Sequence, residues 1–386
     1  MVTAPDAYKN VLIIGLGLSG THALESLNKS LPTSHRIIAI SPIPGYWPIA
    51  ALRASVVPGY EKNTIAPLDH LLPADSRHKI LQGYSVESLN DRSVVLDKEH
   101  DDFGKEIQFD YCILATGSLY PFPCRPPPGS TASSIEELYK SLQSQVAQSS
   151  SILVLGGGPV GIEFAGEVAE YYNGSSSERK RKDVTLVHGG ERFIQEEGYK
   201  PKLGESLKGQ LEKLGVKVVF DEKVDAGERE TGTLEENERE FKFKNGETIK
   251  ADFLFLAFGN APNTKFLPSS YLDFGSKRVN VHPSFLTRSN PNVFAIGDIT
   301  SVPESKLYAN AKNHGGIVAQ NVVSLIKGKD STSLKEYKPG AAMMAVSVGS
   351  GGAGQAFGFH LGSWMLWLAK SRTLFVPQFK QLYQVA

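Results

Sequence analysis

An α/β protein with two parallel-sheet units, the second set inside the first, is the fold class this sequence predicts, and three observations predict it. The first is residues 11–20, Val-Leu-Ile-Ile-Gly-Leu-Gly-Leu-Ser-Gly. A short apolar run of the kind buried on both sheet faces leads into G-x-G-x-x-G, and helical spacing follows from His22 to Leu31. The second is a repeat of that pattern at 151–163, Ser-Ile-Leu-Val-Leu-Gly-Gly-Gly-Pro-Val-Gly-Ile-Glu, with a helix expected over Ile162–Tyr172. The third is a pair of short apolar strands flanking the repeat: 110–118, ending in Ala-Thr-Gly, and 292–298, ending in Gly-Asp.

Each loop glycine has a physical task. Gly15 permits the tight turn, Gly17 lets a pyrophosphate approach the backbone, and Gly20 lets helix and strand pack closely. Leu16, Leu18 and Ser19 complete the loop, whose N–H groups and helix-end charge suit phosphate. Gly156, Gly158 and Gly161 repeat the arrangement. The two units are therefore read as Rossmann-like dinucleotide-binding folds. Two bound dinucleotides, or a duplication with one silent site, both fit these residues.

In chain order, Arg36–Ile40 reads as the second strand of the first fold. About 20 residues past the glycines an Asp or Glu normally bonds the adenosine ribose, and Ser41 stands there instead. A hydroxyl makes a weaker bond to the ribose than a carboxylate does. Lys79–Val86 and Ser93–Leu96 read as small strands. Thr116 and Gly117 close the Ala-Thr-Gly strand end. Pro121–Pro128 then carries the chain across to the second fold, through an acidic helix start at Ser134–Glu137.

Within the second fold, residues 173–182 are polar and basic and predict a flexible surface loop. The strand Val184–Val187 ends at His188, where an NAD-specific fold would place an acid. With no carboxylate at the strand end to repel a 2′-phosphate, both NADH and NADPH are expected to bind. A helix over Leu207–Leu214, a strand over Lys217–Phe220 and an acidic hairpin over Glu228–Thr248 follow, with Asn245-Gly246 at the hairpin turn. Asp252–Ala257, then Phe258-Gly259, return the chain to the first fold. Tyr308–Ile326 has helical spacing.

The tail is distinctive. From Gly340 to Ala369 it has no Asp, Glu, Lys or Arg, yet Gly349, Gly351, Gly352, Gly354, Gly358 and Gly362 interrupt it. No unbroken apolar piece approaches the roughly 20 residues that span a bilayer. Phe357, Phe359, Trp364 and Trp367 fit a plain core or the mouth of a site for an apolar ligand, and Trp364 and Trp367 with Lys370 and Arg372 also suit peripheral contact with anionic headgroups.

The order of these segments resembles the two-dinucleotide flavoproteins. The stretch Ala51–Val56, the two glycine loops, Val184–His188, Leu334–Gly340, Val348–Gly358 and Ala369–Val376 resemble the ferroptosis suppressor branch of the apoptosis-inducing-factor-like flavoproteins. The resemblance spans about residues 10–380. It implies FAD in the first fold and NAD(P)H, as electron donor, in the second, with a modified flavin such as a hydroxylated one left open. It divides the chain into a first part of the FAD domain (1–125), the NAD(P)H domain (126–260), the second part of the FAD domain (261–335) and a C-terminal region facing quinone or membrane (336–386). It implies that Asp298 bonds the flavin ribityl chain, that Arg53 contacts FAD, that the Val86 backbone touches adenine, and that the Tyr308–Ile326 helix aims its positive end at the flavin. It also places Glu163 and Lys370 near the flavin as catalytic residues, and implies electron transfer from NAD(P)H to a quinone of the ubiquinone or menaquinone type.

Composition narrows the alternatives. Lys plus Arg and Asp plus Glu are 41 each, so no net field recruits nucleic acid. Cys112 and Cys124 form no C-x-x-C or close pair, which speaks against a redox dithiol and for a non-thiol acceptor. The nine histidines show no ligand spacing, so no metal site is expected. No signal peptide is expected, and Val2 offers no N-myristoylation site. The expected location is the cytoplasm, with peripheral contact at a lipid droplet, the mitochondrial surface or the plasma membrane left open. A flavoenzyme acting on a soluble secondary metabolite and a non-enzymatic nucleotide-sensing flavoprotein remain the other readings.

Overall fold

The computed structural model describes residues 8–258 and 261–385. Val2, the residue behind the myristoylation expectation, and Gly259 lie outside the described residues. Two five-stranded sheets organise the chain. In the first, the strands Val293–Ala295, Tyr111–Leu114, Lys9–Ile14, His35–Ser41 and Lys79–Gln82 lie side by side, all parallel. Val11 pairs with Ile37 on one side and Tyr111 on the other, so the strand before the first glycine loop is central, and its residues from Val11 to Ile14 are buried. In the second sheet the order is Val216–Val219, Asp183–Val187, Ser151–Leu155, Phe253–Leu256 and Gly232–Thr233, the last antiparallel. Because Val293–Ala295 joins the first sheet only after the second is complete, the second fold is inserted in the first. The chain leaves and returns through one antiparallel ribbon, Ser118–Leu119 against Ala261–Pro262.

Eight α-helices occur among the described residues: α1 (Leu18–Ser30), α2 (Ala51–Ala54), α3 (Ala132–Gln148), α4 (Pro159–Asn173), α5 (Pro201–Lys213), α6 (Tyr308–Ile326), α7 (Ser363–Leu366) and α8 (Val376–Tyr383). Both glycine-loop helices start earlier than their spacing predicts, at Leu18 rather than His22 and at Pro159 rather than Ile162. The third glycine of each loop lies inside the first turn. Packing of helix on strand outweighs the roughly 1 kcal/mol that a glycine costs a helix interior. Helix α5 begins at Pro201, whose missing N–H costs nothing in a first turn. α6 coincides with its predicted span.

Two expectations fail locally. The hairpin is shorter than Glu228–Thr248: Glu240–Lys242 pairs with Thr248–Lys250, while Gly232–Thr233 joins the edge of the second sheet. Residues 173–182 are not simply a flexible loop, because Lys182 is buried. Its ammonium donates to the carbonyls of Ala147 (3.0 Å) and Ser149 (2.5 Å) at the end of α3 and lies 4.3 Å from the centre of the Tyr172 ring. A cation there meets the negative end of the helix.

The tail divides in two. Met344–Val348, Gly351–Ala356 and Phe359–Leu361 form an antiparallel sheet packed against α4 and α5, with Val346, Val348 and Ala353 in the core of the second fold. A Cβ on Gly166 of α4 would come within 2.8 Å of the Val348 backbone, so the contact depends on glycine there. A π-helical turn, Trp367–Ser371, follows α7. α8 then returns to the first fold, where Phe379, Leu382 and Tyr383 share a core with Trp47 and the first sheet. The Trp47 indole N–H donates to Leu374 O at 2.9 Å. Among the described residues no helix is long and apolar enough to cross a membrane.

Candidate functional site

The two glycine loops share one geometry. Gly15 (φ +99°) and Gly156 (φ +111°) lie where a Cβ would stand 2.7 Å from Ala115 O and 2.9 Å from Ala257 O. A Cβ on Gly20 or Gly161 would come within 1.9 Å of the carbonyl of Gly15 or Gly156. Gly17 and Gly158 face the other way, with no atom within 4 Å of such a Cβ. No side chain caps α1 or α4, so the first-turn N–H groups remain for a ligand, less one in α4 where Pro159 has none. Each loop is closed on the strand side and open on one side, which fits a pyrophosphate at each.

Around the first loop, long-range contacts fix the backbone. Leu16 O accepts from the hydroxyls of Thr21 (3.0 Å) and Tyr383 (3.1 Å). Ser19 lies against Gly297, where a Cβ would come within 2.4 Å of its Oγ. Leu18 is half-buried beside them. Thr116 donates its hydroxyl to Asn263 O at 2.8 Å, and Gly117 (φ +64°) leaves open space beside it. Arg125 donates to the carbonyls of Thr116 and Ser118, at 3.1 and 2.8 Å, and so holds the Ala-Thr-Gly turn from the crossing segment. The Asp298 carboxylate follows the Gly297 turn and makes no hydrogen bond among the described residues. Burial raises its carboxyl above the ordinary range, against the pull of the Lys306 and Arg278 charges. A carboxylate held in that state fits ribityl hydroxyls that donate to it.

Ser41 is buried at the end of its strand, and its hydroxyl donates to Ile43 O at 2.8 Å. Its proton is thus used locally, and towards a ribose it acts as an acceptor. Val86 opens the strand Val86–Leu89 and is half-buried. Arg53 is committed elsewhere. Its guanidinium makes a bidentate pair with Glu167 of α4 (2.9 Å) and donates to Ser371 O (3.0 Å) and Gly349 O (3.1 Å). These hydrogen bonds run to α4 and the tail, while the guanidinium also lies 5.5 Å from the centre of the Tyr60 ring, so Arg53 ties α2 to the second fold.

His188 ends its strand, and its Nδ1 accepts the Gly157 N–H at 3.2 Å. Burial lowers its pKa, so the ring is uncharged at neutral pH. It therefore offers no charge to a 2′-phosphate and no carboxylate to oppose one.

Glu163 and Lys370 come together although 207 residues apart in sequence. Lys370 Nζ lies 2.5 Å from Glu163 Oε1, with side chains only 11% and 12% exposed. Lys370 also donates to Ala345 O (2.8 Å), and Glu163 accepts from Ser347 N (3.0 Å). Lys370 is thus not a free surface cation for headgroups. It sits on the π-helical turn, a distortion frequent at functional sites. Beside it Phe357 (74%), Phe359 (75%) and Trp364 (72%) are exposed, which removes plain core as a reading for these three. Leu368 is exposed too.

Sequence reasoning missed Tyr383, Arg125, His314 and the role of Glu167. One signal was available. Glu163, Glu167 and Glu170 lie at i, i+4 and i+7 on one face of α4, in an otherwise apolar helix. Each meets a partner from outside the helix: Lys370, Arg53 and the Ser350 amide. The cysteines are free, and burial pushes Cys124 up to about 12.

The profile of the pyridine nucleotide-disulphide oxidoreductase family matches residues 9–315. Ferroptosis suppressor protein 1 of Homo sapiens is 30% identical over 97% of this chain and 96% of its own length. The protein of the same name in Xenopus tropicalis is 30% identical over 95% of this chain and 94% of its length. Apoptosis-inducing factor homolog A of Dictyostelium discoideum is 29% identical over 98% and 93%. Among solved structures, the ferredoxin reductase for the CYP199A2 system of Rhodopseudomonas palustris shares the fold, with a TM-score of 0.65 and 20% identity over 86% of this chain and 78% of that one.

Proposed function

The chain belongs to the pyridine nucleotide-disulphide oxidoreductase family, and from that premise we propose that it passes electrons from NAD(P)H, through FAD, to a quinone. The buried Glu163–Lys370 pair carries this reading, because it joins the second glycine-loop helix to a tail whose outer face is apolar and aromatic. The residues proposed to hold FAD are Gly15–Gly20, Ser41, Val86, Thr116, Gly117 and Asp298. Those proposed to hold the nicotinamide nucleotide are Gly156, Gly158, Gly161 and His188.

Bound FAD supplies the two-electron step, accepting hydride from the nicotinamide and releasing electrons to the acceptor. Reducing a quinone to a quinol takes two electrons and two protons. One proton arrives with the hydride and the other comes from solvent. Lys370 spends two of its three N–H groups on Glu163 and Ala345, which leaves the third for an acceptor carbonyl oxygen as charge develops there. Glu163 fixes that ammonium in place from the second turn of α4. The exposed Phe357, Phe359, Trp364 and Leu368 suit the apolar body of the quinone or the surface of a membrane that contains it.

Anaerobic titration tests the proposal. The purified protein is expected to be yellow, to bleach with NADH or NADPH, and to regain its colour on adding a short-chain ubiquinone or menaquinone. A protein that cannot be reconstituted with FAD, or whose reduced flavin no quinone reoxidises, refutes it.

A further inference from the structure

Beside the Gly297–Asp298 turn lies a buried cluster of His314, Glu304 and Tyr337 that the proposed chemistry does not use. His314, in the second turn of α6, is 1% exposed and Glu304 is 5% exposed. His314 Nδ1 accepts the Gly297 N–H at 3.1 Å. A nitrogen that accepts carries no proton, so this bond assigns the neutral ring with its proton on Nε2. Nε2 faces Glu304 Oε1 at 2.9 Å, off the line of a straight hydrogen bond. The second oxygen of Glu304 accepts the Tyr337 hydroxyl at 2.5 Å. His314, Tyr337 and Lys306 hold Glu304 below the usual carboxyl range although burial alone would raise it.

A second observation points to the same turn. Phe285 is fully buried at φ +66°, a left-handed backbone that a bulky side chain rarely adopts. Such a conformation persists only where the surroundings fix it, and it recurs where a structure presents functional groups. Here it lays the Phe285 ring 4.3 Å from the His314 ring, centre to centre, while its carbonyl accepts Ala295 N–H in the strand that leads to Gly297. The Tyr337 ring packs edge-on against the same imidazole at 4.6 Å and lies 5.2 Å from the Phe285 ring. Three elements thus hold one neutral imidazole against one backbone amide, and that amide immediately precedes Asp298.

We propose that His314 is a positioning residue for flavin: by taking the Gly297 N–H it sets the turn from which the Asp298 carboxylate receives the ribityl hydroxyls, and Glu304 holds the ring for that task. The inference rests on the reading of Asp298 as a flavin ligand. His314 acts on the flavin only through the turn.

Two substitutions separate the two nitrogens. His314→Asn keeps an acceptor near Nδ1 and gives up the reach to Glu304, while His314→Gln keeps that reach and gives up the acceptor. FAD dissociation, followed by fluorescence on dilution, is expected within threefold of wild type for H314N and at least tenfold faster for H314Q. Amide exchange at Gly297 in the FAD-free protein is expected to quicken in H314Q and not in H314N. Equal behaviour of the two variants in either measurement overturns the proposal. If H314Q does not fold, Glu304→Gln replaces it, with dissociation at least threefold faster expected and wild-type dissociation overturning the proposal. Asp298→Ala is the control. Unchanged FAD retention in D298A refutes the flavin-site reading itself, whatever the His314 variants do.

Discussion

The two glycine loops have the same shape and different surroundings. Around the first, Leu16 O is held by Tyr383, Gly297 by His314, and Thr116 by Asn263, so segments from the middle and the end of the chain converge on one turn. Around the second, Phe164 of α4 stacks on Phe255 at 3.7 Å, the side-chain hydrogen bond to the loop among the described residues is the one from Gly157 to His188, and Phe258 is exposed. A loop clamped by several distant elements suits a resident nucleotide, and a loop with fewer side-chain clamps and an exposed flank suits a nucleotide that comes and goes. Repetition of a motif therefore specifies the pyrophosphate cradle alone, and residence time is set by what surrounds it.

Breaking the junction between the second fold and the tail is expected to have the largest effect. Lys370→Ala should lower quinone turnover about 10²-fold or more, the scale of a lost proton donor or charge stabiliser. Flavin content and the rate of flavin reduction by NADH should change little. Stopped-flow measurement of each half-reaction checks this, and unchanged quinone turnover leaves Lys370 a structural role only.

Next come the clamps themselves. Tyr383→Phe removes only the hydroxyl that bonds Leu16 O, worth about 1 kcal/mol or roughly fivefold in FAD dissociation. His188→Ala should raise the KM for the nicotinamide nucleotide by a similar factor while FAD retention stays put. Titrations of both ligands on both variants should show this crossed pattern, and a variant that weakens both ligands equally would dissolve the distinction between the loops.

Nicotinamide choice is expected to differ little. With neutral His188 at the strand end, kcat/KM for NADH and NADPH should lie within three decades, about 4 kcal/mol. Steady-state kinetics with each cofactor decides it.

The smallest effect concerns Asp298 in the FAD-free protein. Its folded carboxyl titrates above the unfolded value, so the folded chain binds more protons than the unfolded chain in the window between the two. Stability should fall as pH rises through that window, from the ordinary carboxyl range up to the raised value, and stay lowered above it. Asp298→Asn abolishes that decline. Thermal melts of FAD-free wild type and D298N at acid and neutral pH should converge at the acid end and separate at the neutral end, with D298N the more stable.

Local pattern carried the parallel strands, both glycine loops and the α6 span, because burial on two faces and glycine spacing are written within a dozen residues. What escaped was long-range. Nothing near Leu16 signals Tyr383, and nothing near Arg53 shows that a helix more than 100 residues later takes its guanidinium. Lys182 read as solvated because its neighbours are basic, and only the carbonyl end of α3 reveals why it is buried. The Glu163–Lys370 pair lay within reach of resemblance, whereas its neighbours in the acidic row of α4 were legible from spacing alone.

That row has a consequence for how this chain can change. α4, α5 and Arg53 hold the tail sheet largely by its main chain: through the amides of Ser347 and Ser350, the carbonyl of Gly349, and both polar groups of Gly352, which Gln210 pairs. Contacts that read backbone are indifferent to the side chains they carry. The outward positions at Phe359 and Trp364 can drift, or be randomised in a library, while the sheet beside them stays in register. On the proposed function, acceptor preference would then be an exchangeable face on a fixed mount, open to selection without a toll on folding.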